Sequence, residues 1–118
     1  MAIDGKCEQP PEEPDLIRGV DVSFLNQIED YGGIYTEDGI AEDALQILKD
    51  HELNYICLRI WPTPSEGYNN LAKTLYMAGR IKERGFKFLR DFHYSVTWAD
   101  PGEEIKPPAW SNLSFDAL

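Results

Sequence analysis

The sequence has few basic residues, and this shortage excludes one class of partner. Its 11 lysines and arginines stand against 21 aspartates and glutamates, giving a formal net charge of -10 at pH 7. A protein of this charge repels a polyanion such as nucleic acid at long range. We therefore predict that the chain binds no nucleic acid.

The sequence also lacks a long apolar segment. No run approaches the roughly 18 apolar residues that a membrane span requires. The first six residues contain no apolar core of the kind found in signal peptides. We predict a soluble chain without a membrane span, whose export signal, if it had one, has been removed.

Cysteine is scarce, and the two cysteines lie in settings too different for a disulfide framework. Cys57 lies in an apolar run, which favours a small buried hydrophobe. Cys7 opens a proline-rich acidic stretch that cannot form a packed core, so residues 1–17 are predicted to be a disordered leader. A cysteine before an acidic linker resembles the start of a bacterial surface lipoprotein, which implies attachment at the cell surface. An incidental cysteine in a flexible leader is the alternative.

Several chemistry-bearing motifs are absent. A dinucleotide-binding fold needs a glycine-rich turn after its first strand, but the turn at residues 23–29 has no glycine. The two histidines, His51 and His93, are far apart, and no Gly-x-Ser-x-Gly motif occurs. We predict neither a cofactor nor a metal site.

From Arg18 onward, strand-like and helix-like segments alternate, which is the pattern of an α/β domain with a parallel sheet. The predicted strands and helices, in chain order, are a strand at 19–24, a helix at 40–49, a strand at 55–61, a helix from Asn69 or Asn70 to Gly85, and a strand at 86–93. The apolar face predicted for the second helix consists of Leu71, Leu75, Ala78 and Ile81. The last residues, 114–118, read as the opening of a further helix.

Side chains alternate between the two faces of a strand, and this separates apolar from polar positions. The apolar face, predicted to contact the helices, contains Val20, Val22, Phe24, Ile56, Leu58, Ile60, Phe88 and Phe92. The other face carries polar groups towards the carboxyl ends of the strands, where barrel active sites lie. Strand starts are roughly 30 to 36 residues apart, close to the average unit of an eightfold barrel of about 250 residues. Arg90 is the exception, since it falls on the apolar face.

The most informative segment follows the third strand. Residues 91–95 read Asp-Phe-His-Tyr-Ser, residues 97–102 read Thr-Trp-Ala-Asp-Pro-Gly, and residues 58–61 read Leu-Arg-Ile-Trp. In order and spacing these segments resemble the family 53 glycoside hydrolases, the endo-β-1,4-galactanases. The resemblance covers residues 18–118 and implies the first three βα units of a (β/α)8 TIM barrel, incomplete in this chain. It also implies an extracellular or cell-surface enzyme that hydrolyses galactan or arabinogalactan.

The sequence departs from the family pattern at two positions. Val96 stands where the family usually has aspartate, and Arg90 stands where it usually has leucine. The first departure removes a polar group beside the predicted sugar site. The second places a charge where the barrel and its helices are expected to pack.

Retaining glycosidases need two carboxylates about 5 to 5.5 Å apart. The resemblance places both after later strands, the first in an Asn-Glu pair, and these 118 residues contain no such dipeptide. Glu103 and Glu104 are adjacent on a polar loop and are predicted to be a solvated pair. We therefore expect both catalytic glutamates outside this sequence and expect the chain alone to be inactive.

The supporting half of the site is predicted to be present. The forked, permanently charged guanidinium of Arg59 suits a group that holds the nucleophile ionised. Its alternative is a structural ion pair with Asp21 or Asp91. The resemblance favours a role for His93 in donating to a sugar hydroxyl, and its alternative is a histidine satisfied within the protein.

Aromatic side chains complete the predicted site. Trp61, Tyr94 and Trp98 offer flat faces with polar edges, suited to stacking on pyranose rings, although any of them can instead be core. Trp110 is predicted to pack. Asp100, like Asp21 and Asp91, is predicted to orient these groups or cap the loop.

Two functions of different classes remain open. The first is the N-terminal part of a retaining endo-β-1,4-galactanase, with galactan and the rest of the barrel as partners. The second is a non-catalytic module, derived from such a barrel, that binds polysaccharide or self-associates through its open sheet edges. No cofactor is expected for either.

Overall fold

The computed structural model describes residues 16–117. Most of the predicted leader, residues 1–15 with Cys7, lies outside the described residues. Within the described range, no helix is long and apolar enough to span a bilayer.

The described chain forms eight strands and α-helices followed by two short 3-10 helices. In chain order they are β1 (Gly19–Asp21), α1 (Leu25–Asp30), β2 (Tyr35–Glu37), β3 (Ile40–Glu42), α2 (Ala44–Asp50), β4 (Tyr55–Ile60), α3 (Leu71–Glu83), β5 (Lys87–Phe92) and the 3-10 helices Pro108–Trp110 and Phe115–Ala117.

A three-stranded parallel sheet in the order β1-β4-β5 is the centre of the fold, as the alternating pattern predicts. Asp21 pairs in register with Cys57, and Arg59 with Asp91. The carboxyl ends of all three strands therefore meet at one edge of the sheet. Within residues 16–117, β1 and β5 each have one neighbour, so each leaves an unpaired edge.

The prediction that a helix begins at Ile40 is wrong. Ile40 and Ala41 lie in β3, which pairs with β2 in an antiparallel hairpin. Asp38 and Gly39 both have positive φ (49° and 79°), the conformation of the two central residues in a tight hairpin turn. The helix begins only at Ala44, because the Asp43 side chain accepts hydrogen bonds from the first turn.

The first strand is shorter than predicted. The Asp21 carboxylate accepts hydrogen bonds from the backbone N–H of Ser23 (2.9 Å) and from its hydroxyl (3.0 Å), which turns the chain out of the sheet. Helix α1, which the sequence pattern does not predict, follows at once. Phe24 therefore does not join the apolar face of the sheet.

The core lies between one face of the sheet and the helices α2 and α3. It consists of Leu25, Ala44, Leu45, Ile56, Leu58, Met77, Ile81 and Phe86. The predicted apolar face of α3 is partly wrong, because Leu71 and Leu75 are each 63% exposed. Its buried side chains are Thr74, Met77 and Ile81. Thr74, Met77 and Ile81 also recur at helical spacing. Packing rather than periodicity therefore decides which face of α3 is buried.

The β5 edge exposes apolar side chains. Leu89 is 57% exposed and Phe92 is 49% exposed. Arg90 is also exposed, and its guanidinium lies 5.5 Å from the centre of the Phe92 ring. The charge at position 90 thus meets solvent and an aromatic face rather than the packed interior expected from the pattern.

An ion-pair cluster joins the three helices. Arg80 donates to both oxygens of Glu29 (2.6 and 3.0 Å) and to Asp43 (2.7 Å), and Arg84 pairs with Asp43 at 3.1 Å. Burial raises the pKa of Asp43, but the hydrogen bond from Arg80 and the two guanidinium charges outweigh it and leave that pKa below its ordinary value.

We expect Asp43→Ala to lower the free energy of unfolding by about 1–3 kcal/mol, because it removes a helix cap and two ion pairs. Asp43→Asn, which keeps the capping oxygen, should lose less. Because its folded pKa is depressed, Asp43 stabilises the fold above its unfolded pKa, and this contribution disappears as pH falls through the folded value. Urea unfolding at neutral and acid pH measures both effects. Glu83→Ala, an exposed helical carboxylate, is the control, and an equal loss there would contradict the assignment.

Candidate functional site

The carboxyl ends of the three strands bring most of the predicted site residues together. Arg59 on β4 is buried, at 4% exposure, and lies in register with Asp91 on β5. Trp61 and His93 directly follow these two strands. The loop after β5 returns Trp98 to the same place, where its ring contacts Arg59.

The guanidinium of Arg59 is surrounded by aromatic rings. Its central carbon lies 3.6 Å from the centre of the Trp98 ring, 4.9 Å from Phe24 and 5.2 Å from Trp61. These contacts are cation-π interactions, which are strongest where water is excluded. Burial lowers the pKa of Arg59, and the nearby carboxylates of Asp21 and Asp91 do not fully offset it. The group remains a charged, desolvated cation.

Arg59 forms no ion pair with Asp21 or Asp91 among the described residues, so that alternative is not the arrangement found. Asp21 instead accepts the hydroxyl of Ser23, and the Ser23 oxygen accepts the backbone N–H of Arg59 at 2.8 Å. This chain of bonds fixes the backbone of β4 against the end of β1. Asp21 therefore orients the arginine through Ser23.

Both ring nitrogens of His93 lie within hydrogen-bonding distance of a neighbouring side chain. The indole Nε1–H of Trp61 donates to Nδ1 of His93 at 3.1 Å, and Nε2 of His93 lies 3.1 Å from Asp91 Oδ2. In the neutral ring this geometry assigns the proton to Nε2, which donates to the carboxylate. Asp91 thus orients His93. Donation from His93 to a sugar stays a prediction and requires the Asp91 bond to be shared or exchanged.

An aromatic wall borders a cavity beside Arg59. Trp98 lies 6.1 Å from Trp61, 6.1 Å from His93 and 5.6 Å from Phe24, measured between ring centres. The cavity has a volume of about 280 Å³. Its lining also includes Gln27, Pro64, Ser65, Glu66, Tyr68, Val96 and Thr97. Aromatic faces with amide, hydroxyl and carboxylate groups at their edges provide the chemistry that binds a sugar ring.

Tyr94, Asp100 and Trp110 lie outside this cluster. Tyr94 is 68% exposed, has a positive φ of 51°, and its ring lies 6.2 Å from Phe92 and 6.3 Å from Trp110. Asp100 is exposed, and its carbonyl accepts the backbone N–H of Glu103. Asp100 therefore belongs to a turn of the loop, and Tyr94 faces a second, wider hollow with His93 and Trp110.

The adjacent pair Glu103 and Glu104 lies on the loop that follows β5. Glu103 and Glu104 are exposed, and Glu104 accepts the backbone N–H of Gly102 at 3.0 Å. Asp21 accepts hydrogen bonds from Ser23, and Asp91 lies within hydrogen-bonding distance of His93. No carboxylate in this part of the chain pairs with Arg59.

Another acidic group lies on the hairpin side of α2. Carboxylate oxygens of Glu37, Glu42 and Asp50 lie within 4.8 Å of one another. Glu37 is already bonded to His51 at 2.6 Å, and Glu42 and Asp50 are exposed. We assign no metal to this group, since exposed carboxylates alone are not a binding site.

Sequence reasoning missed three residues near Arg59. The alternating sequence pattern predicts that Phe24 faces the helices, and it predicts no role for Ser23 or Asn26. The Asp21-to-Ser23 spacing, an aspartate two residues before a serine, is a turn signal that predicts where β1 ends. With the strand ended there, Phe24 is free to reach the arginine.

Comparison with known proteins finds a matching family and similar chains. The family model for glycosyl hydrolase family 53 matches residues 17–118. An uncharacterized protein of Niallia circulans is 49% identical over 108 residues, and an endo-beta-1,4-galactanase of Bacillus subtilis is 38% identical over 112 residues. The solved catalytic domain of this family from Ignisphaera aggregans is 42% identical, with a TM-score of 0.80.

The matches cover most of this chain and a minor part of each relative. They span 91% of the chain and 30% of the Niallia protein, 87% and 26% for the Bacillus enzyme, and 91% and 32% for the Ignisphaera domain. The chain thus corresponds to about a third or less of the length of these relatives.

Proposed function

Because the chain belongs to glycosyl hydrolase family 53, we propose that it contributes the first three βα units of a (β/α)8 barrel that hydrolyses β-1,4-galactan. The parallel order β1-β4-β5 and the clustering of polar groups at the carboxyl ends support this proposal, because barrel active sites lie at that end. The printed name of the Bacillus relative, endo-beta-1,4-galactanase, supports the substrate.

The buried cation Arg59, which forms no ion pair within residues 16–117, is the main support for this proposal. Removing a charge from water is costly unless a partner is supplied, and no carboxylate within residues 16–117 supplies one. The forked guanidinium matches a carboxylate. We infer that its partner is the nucleophilic glutamate, contributed from outside these 118 residues, and that Arg59 holds this glutamate ionised.

The surrounding groups take complementary roles in this proposal. Trp98, which is 43% exposed, offers the ring on which one galactosyl residue stacks, with the buried Trp61 packed edge-on against it and His93 at its edge. Asp91 holds His93 in the tautomer that presents Nε2–H, the proton that a sugar hydroxyl would share. The acid/base glutamate, like the nucleophile, comes from outside this sequence.

The test is hydrolysis by the complete protein that contains these residues. We expect reducing sugar to be released from β-1,4-galactan, with retention of anomeric configuration followed by NMR. Cellulose and xylan, which share the β-1,4 linkage, are the matched control polymers. Equal rates on all three, or none on galactan, would overturn the proposed substrate.

A second function is favoured by one observation, the edges of β1 and β5 that are unpaired within residues 16–117, the β5 edge with exposed Leu89 and Phe92. In this alternative the segment is a non-catalytic module that binds polysaccharide or self-associates through those edges. Light scattering at low micromolar concentration distinguishes the two. A complete protein that is monomeric and active on galactan excludes the module.

We expect Trp98→Ala in the complete protein to raise KM for galactan by about tenfold, since stacking on an aromatic face contributes about 1 kcal/mol or more. Trp98→Phe, which retains a ring, should recover most of the affinity. Tyr76→Ala removes an exposed ring on α3 and is the matched control. An equal effect of the Tyr76 and Trp98 changes would remove Trp98 from the site.

The proposed location is extracellular or at the cell surface, because galactan is a polysaccharide too large to enter a cell intact. Attachment through Cys7 is part of this proposal. Metabolic labelling with a fatty-acid analogue tests this attachment. The complete protein should incorporate the label, and its Cys7→Ser variant should not.

A further inference from the structure

Two buried polar atoms without a protein partner belong to residues that line one small cavity. Arg59 is 4% exposed and Asn26 is 7% exposed. Within the described chain, Nε of Arg59 and Oδ1 of Asn26 make no hydrogen bond. Both residues line a small cavity of about 10 Å³ between the end of β4 and residues of α1 and α3. One atom carries a proton to donate and the other can only accept, so they are complementary.

The orientation of the Asn26 amide follows from its other neighbour. Its Nδ2 lies 3.4 Å from Oδ1 of Asp30, one turn further along α1. An ionised carboxylate only accepts hydrogen bonds, so the amide nitrogen belongs on that side. This leaves the amide oxygen as the atom without a partner.

The cavity has the size and the lining of a site for one water molecule. A buried water needs roughly 10–15 Å³ and two to four polar partners, whereas apolar cavities stay dry. The lining includes hydroxyl and amide side chains, namely Ser23, Tyr68, Asn69 and Thr74. All of the residues that line the cavity belong to the described part of the chain.

We propose that one buried water molecule occupies this cavity, accepting from Nε–H of Arg59 and donating to Oδ1 of Asn26. Asn26 is then a positioning residue for Arg59. Close contact with the Trp98 ring, at 3.6 Å, restrains the plane of the guanidinium, and the water fixes its rotation within that plane. The terminal nitrogens remain free for a carboxylate. The water site does not depend on the proposed function; only its kinetic consequence does.

The direct test is a crystal structure of the complete protein at a resolution of about 1.5 Å. We expect one ordered water within about 2.7–3.2 Å of both Arg59 Nε and Asn26 Oδ1. A dry cavity, or a direct bond between the two side chains, would overturn the proposal. This readout needs no activity.

Kinetics test the positioning role. Asn26→Leu removes the acceptor at nearly constant volume and should lower kcat about tenfold with little change in KM, the effect of one unmade bond to a charged group. Asn26→Gln keeps both the acceptor oxygen and an amide donor for Asp30, and should retain more of kcat than Asn26→Leu. Gln46→Leu, the same type of change on α2, should have no effect. Equal kcat for Asn26→Leu and wild type would remove the positioning role. A wild type inactive on galactan would instead count against the proposed function.

Discussion

Arg59→Ala in the complete protein is expected to lower kcat for galactan by about 100- to 1000-fold while KM changes little. A preorganised charge that acts mainly on the reacting groups stabilises the transition state more than the bound substrate. The buried guanidinium, unpaired among the described residues and stacked 3.6 Å from Trp98, is such a charge. Steady-state kinetics on galactan measure the effect.

Two comparisons make this result interpretable. Arg59→Lys keeps a charge but lacks the rigid fork, and should recover only part of the activity. Circular dichroism must show that Arg59→Ala remains folded, since Arg59 is buried. A folded Arg59→Ala protein with wild-type kcat would assign the arginine a structural role only.

The 118-residue chain alone is expected to release no measurable reducing sugar from galactan. Its aromatic wall and oriented histidine can position a sugar, but positioning without two carboxylates leaves the glycosidic bond almost uncatalysed. Turnover that persists through repurification would contradict this and return attention to Glu103 or Glu104.

Activity should return when the remainder of the barrel is supplied as a separate chain. The unpaired edges of β1 and β5 and the exposed Leu89 and Phe92 provide the surface for that association. The same mixture made with the Arg59→Ala chain is the matched control and should stay inactive. Activity that returns equally with both chains would separate Arg59 from catalysis.

The parallel sheet could be predicted from sequence because its strands carry strong signals. The run from Tyr55 to Ile60 is apolar on one face and polar on the other, and its strand was predicted to within one residue. The third strand was predicted equally well, since Gly85 ends α3 with a positive φ of 73° just before it. Grouping polar residues at the carboxyl ends follows from the parallel arrangement alone.

The hairpin and α1 could not be predicted by the same reasoning. Ile40, Ala41, Ala44 and Leu45 fit helical spacing, and that pattern hides the Asp38-Gly39 dipeptide, a sequence signal for the two-residue turn that the structure shows. Helix α1 is short and depends on tertiary contacts, chiefly the bidentate pair of Glu29 with Arg80, which are 51 residues apart.

The sequence predicts which residues gather at the site, but not which hydrogen bonds and ring contacts they make there. Arg59, Trp61, Asp91, His93 and Trp98 do come together. Whether Arg59 pairs with Asp21 or stacks on aromatic rings depends on where β1 ends, and a strand predicted to continue to Phe24 hides that choice. Likewise, the bonds on both nitrogens of His93 require the loop geometry after β5.

In the proposed function, the carboxyl-end cluster is half of a galactan-cleaving site whose carboxylates come from elsewhere. The most direct measurement is a crystal structure of the complete protein with β-1,4-galactotriose bound. We expect a galactosyl ring stacked on Trp98 or Trp61, and a glutamate from outside residues 1–118 within about 3 Å of the Arg59 guanidinium. A trisaccharide bound away from these rings, or an Arg59 paired only with Asp21 or Asp91, would contradict the claim.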